Sequence, residues 1–175
     1  MRNQKVKTVV TTSLFAAIVC VTTMVIQIPS PMNGYVNMGD CFCLLSGWLL
    51  GPVYGVAAAA IGSGLADILT GYAYYAPATV IIKGLVALLA YAVFALMFKL
   101  CKGKGVIARI VSGVAAELVM VLGYFVYAWL ILGEGLAAAA SIPGNLVQGL
   151  FGIIAACLII QIIRSTKPLR DFFER

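Results

Sequence analysis

Few side chains in this sequence could do chemistry, and most of them fall inside long apolar runs. Asp40, Asp67, Lys83 and Glu117 are charges in such runs, and Asn145 and Gln148 are amides three positions apart. A charge within a membrane is costly unless it is paired or wetted, so each is a functional candidate. Asp67 and Lys83 fall on successive antiparallel helices and can share a depth. A structural ion pair between them and a ligand-facing Lys83 are both open readings. Asn145 and Gln148 share a helical face, either to bond neighbouring helices or to read a polar ligand. Glu117 reads as a structural carboxylate in the inner half of its helix. Asp40 reads as a helix cap or part of the turn before it. Tyr35, the loop tyrosines Tyr72, Tyr74 and Tyr75, and Tyr124, Tyr127 and Trp129 are either an interfacial belt or flat partners for a heterocycle. Lys83, Asn145, Gln148 and the tyrosines together describe an apolar-walled pocket with convergent polar groups.

Other chemistries are excluded. The chain has no histidine, which removes His-based triads, His-ligated metal sites and the usual general base. Its five cysteines are scattered, and the Cys41/Cys43 pair lacks a second pair to complete a metal site. They read as small apolar helix residues. No phosphate-binding glycine loop is present, so no ATPase activity and no cofactor is expected. A membrane enzyme of lipid or isoprenoid metabolism is the rival reading. It would need clustered carboxylates for a metal and phosphate, and Asp40 and Asp67 stand apart. A structural assembly subunit is a third. The lack of an internal repeat weighs against a self-sufficient inverted-repeat transporter.

The elements that must position these residues are membrane helices. The 175 residues are 63% hydrophobic and 10% charged, against about 25% charged in a soluble domain, and mean hydropathy is +1.07. A nucleic-acid-binding role is excluded despite the pI near 9.2. A membrane helix uses ~20 residues, so one all-α domain over 1–175 with six spans fills the chain. The first apolar run covers 8–28 and ends at Pro29 and Pro31. Residues 38–70 are too long for one crossing. Gly51-Pro52 divides them into helices over 38–50 and 52–69, the second rich in small residues suited to close packing. Further helices cover 77–98, 107–132 and a stretch from 139 or 141 to 163. The N-terminus, the 99–109 loop and the C-terminus hold eleven of the twelve Lys+Arg. By the positive-inside rule these face the cytoplasm. Without the break at Gly51-Pro52 the 99–109 loop would face outward; a re-entrant hairpin there gives the same parity as two crossings.

Particular runs then carry a resemblance: Gly34-Tyr35-Val36-Asn37-Met38-Gly39-Asp40, Leu49-Leu50-Gly51-Pro52-Val53-Tyr54-Gly55, and Gly62-Ser63-Gly64-Leu65-Ala66-Asp67. It continues through Gly71-Tyr72-Ala73-Tyr74-Tyr75-Ala76-Pro77-Ala78-Thr79, Ile82-Lys83-Gly84 and Pro143-Gly144-Asn145-Leu146-Val147-Gln148-Gly149. Over nearly its whole length the chain resembles the substrate-binding S component of energy-coupling factor (ECF) vitamin transporters, in the riboflavin and hydroxymethylpyrimidine or pyridoxine-type subgroup. The resemblance implies six helices, both termini cytoplasmic, in the bacterial plasma membrane. It implies a vitamin site in the first outer loop and the fourth to sixth helices, which falls here on Tyr35, Asn37, Tyr74, Tyr75, Lys83, Tyr124, Asn145 and Gln148. Asp40, Asp67 and Glu117 then have structural or gating roles. It also implies a transmembrane scaffold subunit and two cytoplasmic ATPase subunits as partners. Small residues at four-residue spacing on the first helix dock the scaffold in this family; here they are Thr12, Ala16 and Cys20, the last in place of the usual alanine. Packing within the subunit is the alternative for that stripe.

Overall fold

The computed structural model describes residues 2–29 and 35–173. Pro31, Gly34 and Arg175 of the sequence reading lie outside the described residues. Among the described residues the fold is all-α apart from one short pair of antiparallel strands. Its helices are α1 (Arg2–Val25), α2 (Asp40–Leu69), α3 (Ala76–Leu100), α4 (Gly105–Val126), α5 (Ile142–Ser165) and the short α6 (Lys167–Phe173). Among the described residues, five helical segments are long and apolar enough to cross a membrane.

The long helix α2 is not straight. Gly51 adopts φ 79°, ψ −169°, a backbone open to glycine and costly for other residues, and Pro52 follows it. Twenty residues of straight helix span about 30 Å. Here Cys43 Sγ lies 3.6 Å from Ser63 Oγ, and the Ser46 hydroxyl donates to the Gly55 carbonyl at 3.0 Å. The chain therefore doubles back into two antiparallel arms, 40–50 and 52–69, at the expected break. The first arm rises only about 16 Å, half of a ~30 Å hydrocarbon core, and the second about 27 Å. The small residues of the second arm do what their size allows. A Cβ on Gly62 would strike Ala16 and Val19 of α1, and one on Gly64 would meet Val80 of α3. This arm is wedged between those two helices.

The expected fourth, fifth and sixth helices are α3, α4 and α5. Helix α1 stops at Val25, short of the expected 28, because Gln27–Pro29 (β1) pairs antiparallel with Tyr35–Asn37 (β2). Helix α4 runs on through a π turn, Tyr127–Ile131, and a 3-10 turn, Gly135–Ser141, precedes α5. Val19, Leu44, Leu45, Val86 and Met120 fill the core. The outside is apolar too: Val10, Leu14 and Val21 of α1, Ile81 of α3 and Leu158 and Ile162 of α5 are more than half exposed, as lipid-facing residues are.

The two ends of the bundle differ. At one end lie β1–β2, the turn at 70–75 and the turns around 127–141. At the other, Lys7 Nζ donates to the Phe172 carbonyl at 2.6 Å, and Phe15 meets Phe173 edge-on at 6.2 Å. The basic residues of the α1 start, the 99–109 segment and the chain's last helices share this second end.

Candidate functional site

Strand β2 and the neighbouring helix ends line a polar cavity near the tyrosine-rich end. It is lined from every long helix: Thr23 of α1, Ser63 and Asp67 of the second α2 arm, Thr79 and Lys83 of α3, Tyr124 of α4, and Asn145 and Gln148 of α5. Tyr35, Asn37, Tyr75 and Ser141 complete it. About 40 Å³ is open to the centres of water molecules, room for a few waters.

The floor is a closed network. The Lys83 ammonium is paired with Asp40 Oδ1, and both side chains are buried, at 2% and 0% exposure. Gln148 Nε2 donates to Asp40 Oδ2 at 2.5 Å, while its Oε1 accepts the Asn37 backbone N–H at 2.6 Å. The Asn37 side chain in turn accepts the Gly39 N–H at 2.8 Å. Helix α5 comes close enough for this because it carries Gly149 and Gly152. A Cβ on the first would stand 2.9 Å from Glu117 Cβ, and one on the second 3.0 Å from Asp40 Cβ.

One open alternative is closed here and one reading is corrected. Lys83 pairs with Asp40 and not with Asp67, because the fold-back of α2 brings the start of its first arm beside α3. Asp40 is no cap: the cap position is Gly39 with no side-chain cap bond, and the Asp40 carboxylate is held by Lys83 and Gln148. Glu117 also stands elsewhere than expected. It lies beside Gly149 at floor level, close enough to feel Asp40 and Lys83, and neither of its oxygens has a hydrogen-bond partner among the described residues.

The wall leaves some of its polar atoms open. Asp67 accepts the Tyr35 hydroxyl on Oδ1 at 2.5 Å, and its Oδ2 has no partner among the described residues. Thr23 Oγ1 is likewise buried without a partner. Asn145 is 8% exposed and lines the cavity. The Tyr124 hydroxyl donates to Thr79 Oγ1 at 3.1 Å, and its ring centre lies 5.5 Å from Lys83 Nζ.

Tyrosines cap the cavity. Tyr35 and Tyr72 have ring centres 4.7 Å apart, and Tyr75 contacts Tyr74, Tyr124 and Tyr127 at 5.1, 6.2 and 5.5 Å. The Tyr127 hydroxyl donates to the Tyr74 carbonyl at 2.5 Å. Burial, reinforced by Asp67, holds the Tyr35 phenol well above its ordinary value, and burial pushes Tyr75 up to about 12. Both are neutral donors at physiological pH.

Of the eight residues expected to bind, seven line the cavity: Tyr35, Asn37, Tyr75, Lys83, Tyr124, Asn145 and Gln148. Tyr74 does not; it sits outside the lining at 46% exposure. Three lining residues missed from the sequence have a common signal. Ser63, Thr79 and Ser141 each stand four positions before a residue that was singled out, Asp67, Lys83 and Asn145, and so share its helical face. Thr23 had only its place near the outer end of the first run. Thr12, Ala16 and Cys20 line a separate groove with Ala57, Ile61 and Leu65, on the flank where α1 meets the second α2 arm.

A helical bundle with an apolar exterior and a polar cavity near one end is a membrane protein built to hold a small ligand. Comparison with known proteins narrows this further. Residues 3–165 match the family of the ECF-type riboflavin transporter, S component. The chain belongs to that family and is a transporter's substrate-binding membrane subunit. It is 38% identical over 138 residues to a Pyrococcus woesei protein described as an uncharacterized protein in the gap 3′ region, covering 78% of this chain and 87% of that one. Its fold is similar to a structure reported as the S component of a bacterial ECF transporter: TM-score 0.72, 22% identity, 94% of this chain and 98% of the other. The rival reading, an enzyme of lipid or isoprenoid metabolism, finds no support in these matches.

Proposed function

We propose that this chain captures riboflavin, or a smaller hydroxymethylpyrimidine- or pyridoxine-like vitamin, from outside the cell for ATP-driven import. The carrying observation is the cavity itself: lined mostly by buried side chains, capped by tyrosines in tilted and edge-on contact, and left with open polar atoms on Asp67, Thr23 and Asn145. Its lone ammonium is already matched by Asp40, which suits a neutral ligand offering hydrogen-bond donors. Riboflavin has a flat ring system for the tyrosines and ring N–H and chain hydroxyls for the acceptors. With room now for only a few waters, the tyrosine cap moves outward when a heterocycle enters.

The single domain, 1–175, lies in the bacterial plasma membrane with its basic end in the cytoplasm and its tyrosine end outside. It crosses six times, the first α2 arm completing its crossing with the extended segment before it. Energy comes from a transmembrane scaffold subunit and two cytoplasmic ATPase subunits. The scaffold docks on the small-residue groove at Thr12, Ala16 and Cys20, where backbones can approach closely.

Detergent-purified protein should release a bound vitamin identifiable by mass spectrometry, or quench added riboflavin fluorescence stoichiometrically. A preparation that does neither with any of these vitamins overturns the ligand assignment. Ala16→Trp should abolish co-purification with scaffold and ATPases and leave vitamin affinity intact. Lost affinity with a retained complex would break the separation of the two surfaces.

A further inference from the structure

The basic end contains a second polar site that the vitamin pocket does not use. Arg109 falls in the first turns of α4, yet it is only 8% exposed. Its guanidinium carbon lies 4.9 Å from the centre of the Phe94 ring, and its Nε is buried with no hydrogen-bond partner among the described residues. Arg164, near the end of α5, reaches the same place. A single point off Gly105, where a Cβ would be, is 3.1 Å from Arg109 Nη1 and 3.3 Å from Arg164 Nη1. One atom can touch both guanidinium groups.

Two like charges this close repel unless an anion lies between them. No carboxylate among the described residues does so: the ion pairs found there are Lys83 with Asp40 and Arg170 with Asp171. The point they share is also the N-terminus of the 22-residue helix α4. The unpaired N–H groups and the helix dipole there favour negative charge. Gly105 leaves the space a side chain would fill, and Lys104 at the cap adds a further cation. Arginine's fork of donors matches the oxygens of a phosphate.

We infer that Arg109, Arg164 and the start of α4 form a binding site for a phosphate group, carried by an anionic lipid headgroup or free in solution. The surroundings favour the lipid. Leu96, Leu100, Val106 and Ile110 are 45–66% exposed beside the site, an apolar belt along which acyl chains can lie. Basic pockets between membrane helices hold anionic headgroups on the cytoplasmic side in this manner.

The test uses the full chain in detergent with phosphatidylglycerol, phosphatidylcholine or inorganic phosphate as probes. Native mass spectrometry counts retained lipid, and thermal melting reads stabilisation. Wild type should retain phosphatidylglycerol over phosphatidylcholine. Arg164→Gln, at an exposed position that folding tolerates, should lower that retention about tenfold, the effect of losing a charged hydrogen bond. Arg109→Gln should do the same if it folds; Arg164→Gln carries the test if it does not. Lys102→Gln removes the same charge from the neighbouring loop and should change retention little. Stabilisation by inorganic phosphate that Arg164→Gln abolishes supports the site with a free anion as its ligand; Arg164-dependent retention of phosphatidylglycerol alone supports it with a lipid. Equal losses in Lys102→Gln and Arg164→Gln would reduce the effect to diffuse charge and overturn the site. So would equal retention in wild type and Arg164→Gln with no response to phosphate.

Discussion

The floor and the wall of the polar cavity are both buried and both polar, yet their atoms are left with different work. On the floor, Asp40 has both carboxylate oxygens engaged, one by Lys83 and one by Gln148, and Gln148 is held in turn by Asn37. On the wall, Asp67 has one oxygen engaged by Tyr35 and one unpartnered among the described residues. A buried carboxylate with both oxygens bonded fixes helices in place. One with an oxygen to spare is ready for a ligand donor. On the proposed function, the same residue type serves architecture at position 40 and recognition at position 67, and the difference lies in what the neighbouring helices supply.

Breaking the floor should have the largest effect. Asp40→Asn leaves the Lys83 ammonium buried and unmatched, which costs about 3–5 kcal/mol when one partner of a buried pair is lost. A steep fall in melting temperature in detergent would show it. Replacing both partners together, Asp40→Leu with Lys83→Met, should recover much of that loss, because removing a buried pair whole is often near neutral. An Asp40→Asn protein that melts like wild type would move Asp40 from architecture to recognition.

Asp67→Asn should separate the wall from the floor. The amide oxygen can still accept the Tyr35 hydroxyl, so melting should change little. The lost charge facing the ligand should weaken riboflavin binding by about tenfold to over a hundredfold, the range for a hydrogen bond to a charged group. A drop in stability with unchanged affinity would place Asp67 with Asp40. Asn145→Ala removes a neutral amide, worth ~0.5–1.5 kcal/mol net. It should therefore cost only about two- to tenfold in affinity, measured by fluorescence titration, with melting again near wild type.

Much of this pocket was legible before the fold was known, and the failures have one physical source. Positions 67, 83, 145 and 148 stood out because polar residues are conspicuous in apolar helices. Ser63, Thr79 and Ser141 were lost because short hydroxyl side chains are common in membrane helices, where they bond back to their own backbone, as Thr11, Thr12 and Thr22 do here. The partner of Lys83 was hidden for another reason. Asp67 and Lys83 are linked by a short loop, which makes their proximity easy to infer. Asp40 reaches Lys83 only through the reversal at Gly51, and how closely the two arms pack is set by contacts such as Ser46 with Gly55. The break itself was readable from Gly51-Pro52, but the register of the arms was not. The β1–β2 pairing was hidden as well, since three-residue strands leave almost no periodic signal.

The cap should give the smallest effect, visible only in alkali, and it tests whether the tyrosines belong with the floor or the wall. Burial pushes Tyr75 up to about 12, with Glu134 and Tyr74 acting in the same direction, against ~10 for a free tyrosine. The folded protein therefore holds this proton more tightly than the unfolded chain does. The stabilisation this confers is complete below pH ~10, where both states are protonated, and it declines between about pH 10 and 12 as the unfolded chain alone ionises. Tyr75→Phe keeps the ring against Tyr74, Tyr124 and Tyr127 and removes the titrating group. Its melting temperature should consequently fall less steeply than that of wild type across this window, while the two differ little at pH 7. Parallel alkaline losses in the two proteins would mean that the phenol is not held by the fold. A Tyr75→Phe protein that is much less stable at pH 7 would instead assign its hydroxyl to the architecture, alongside Asp40 and Gln148.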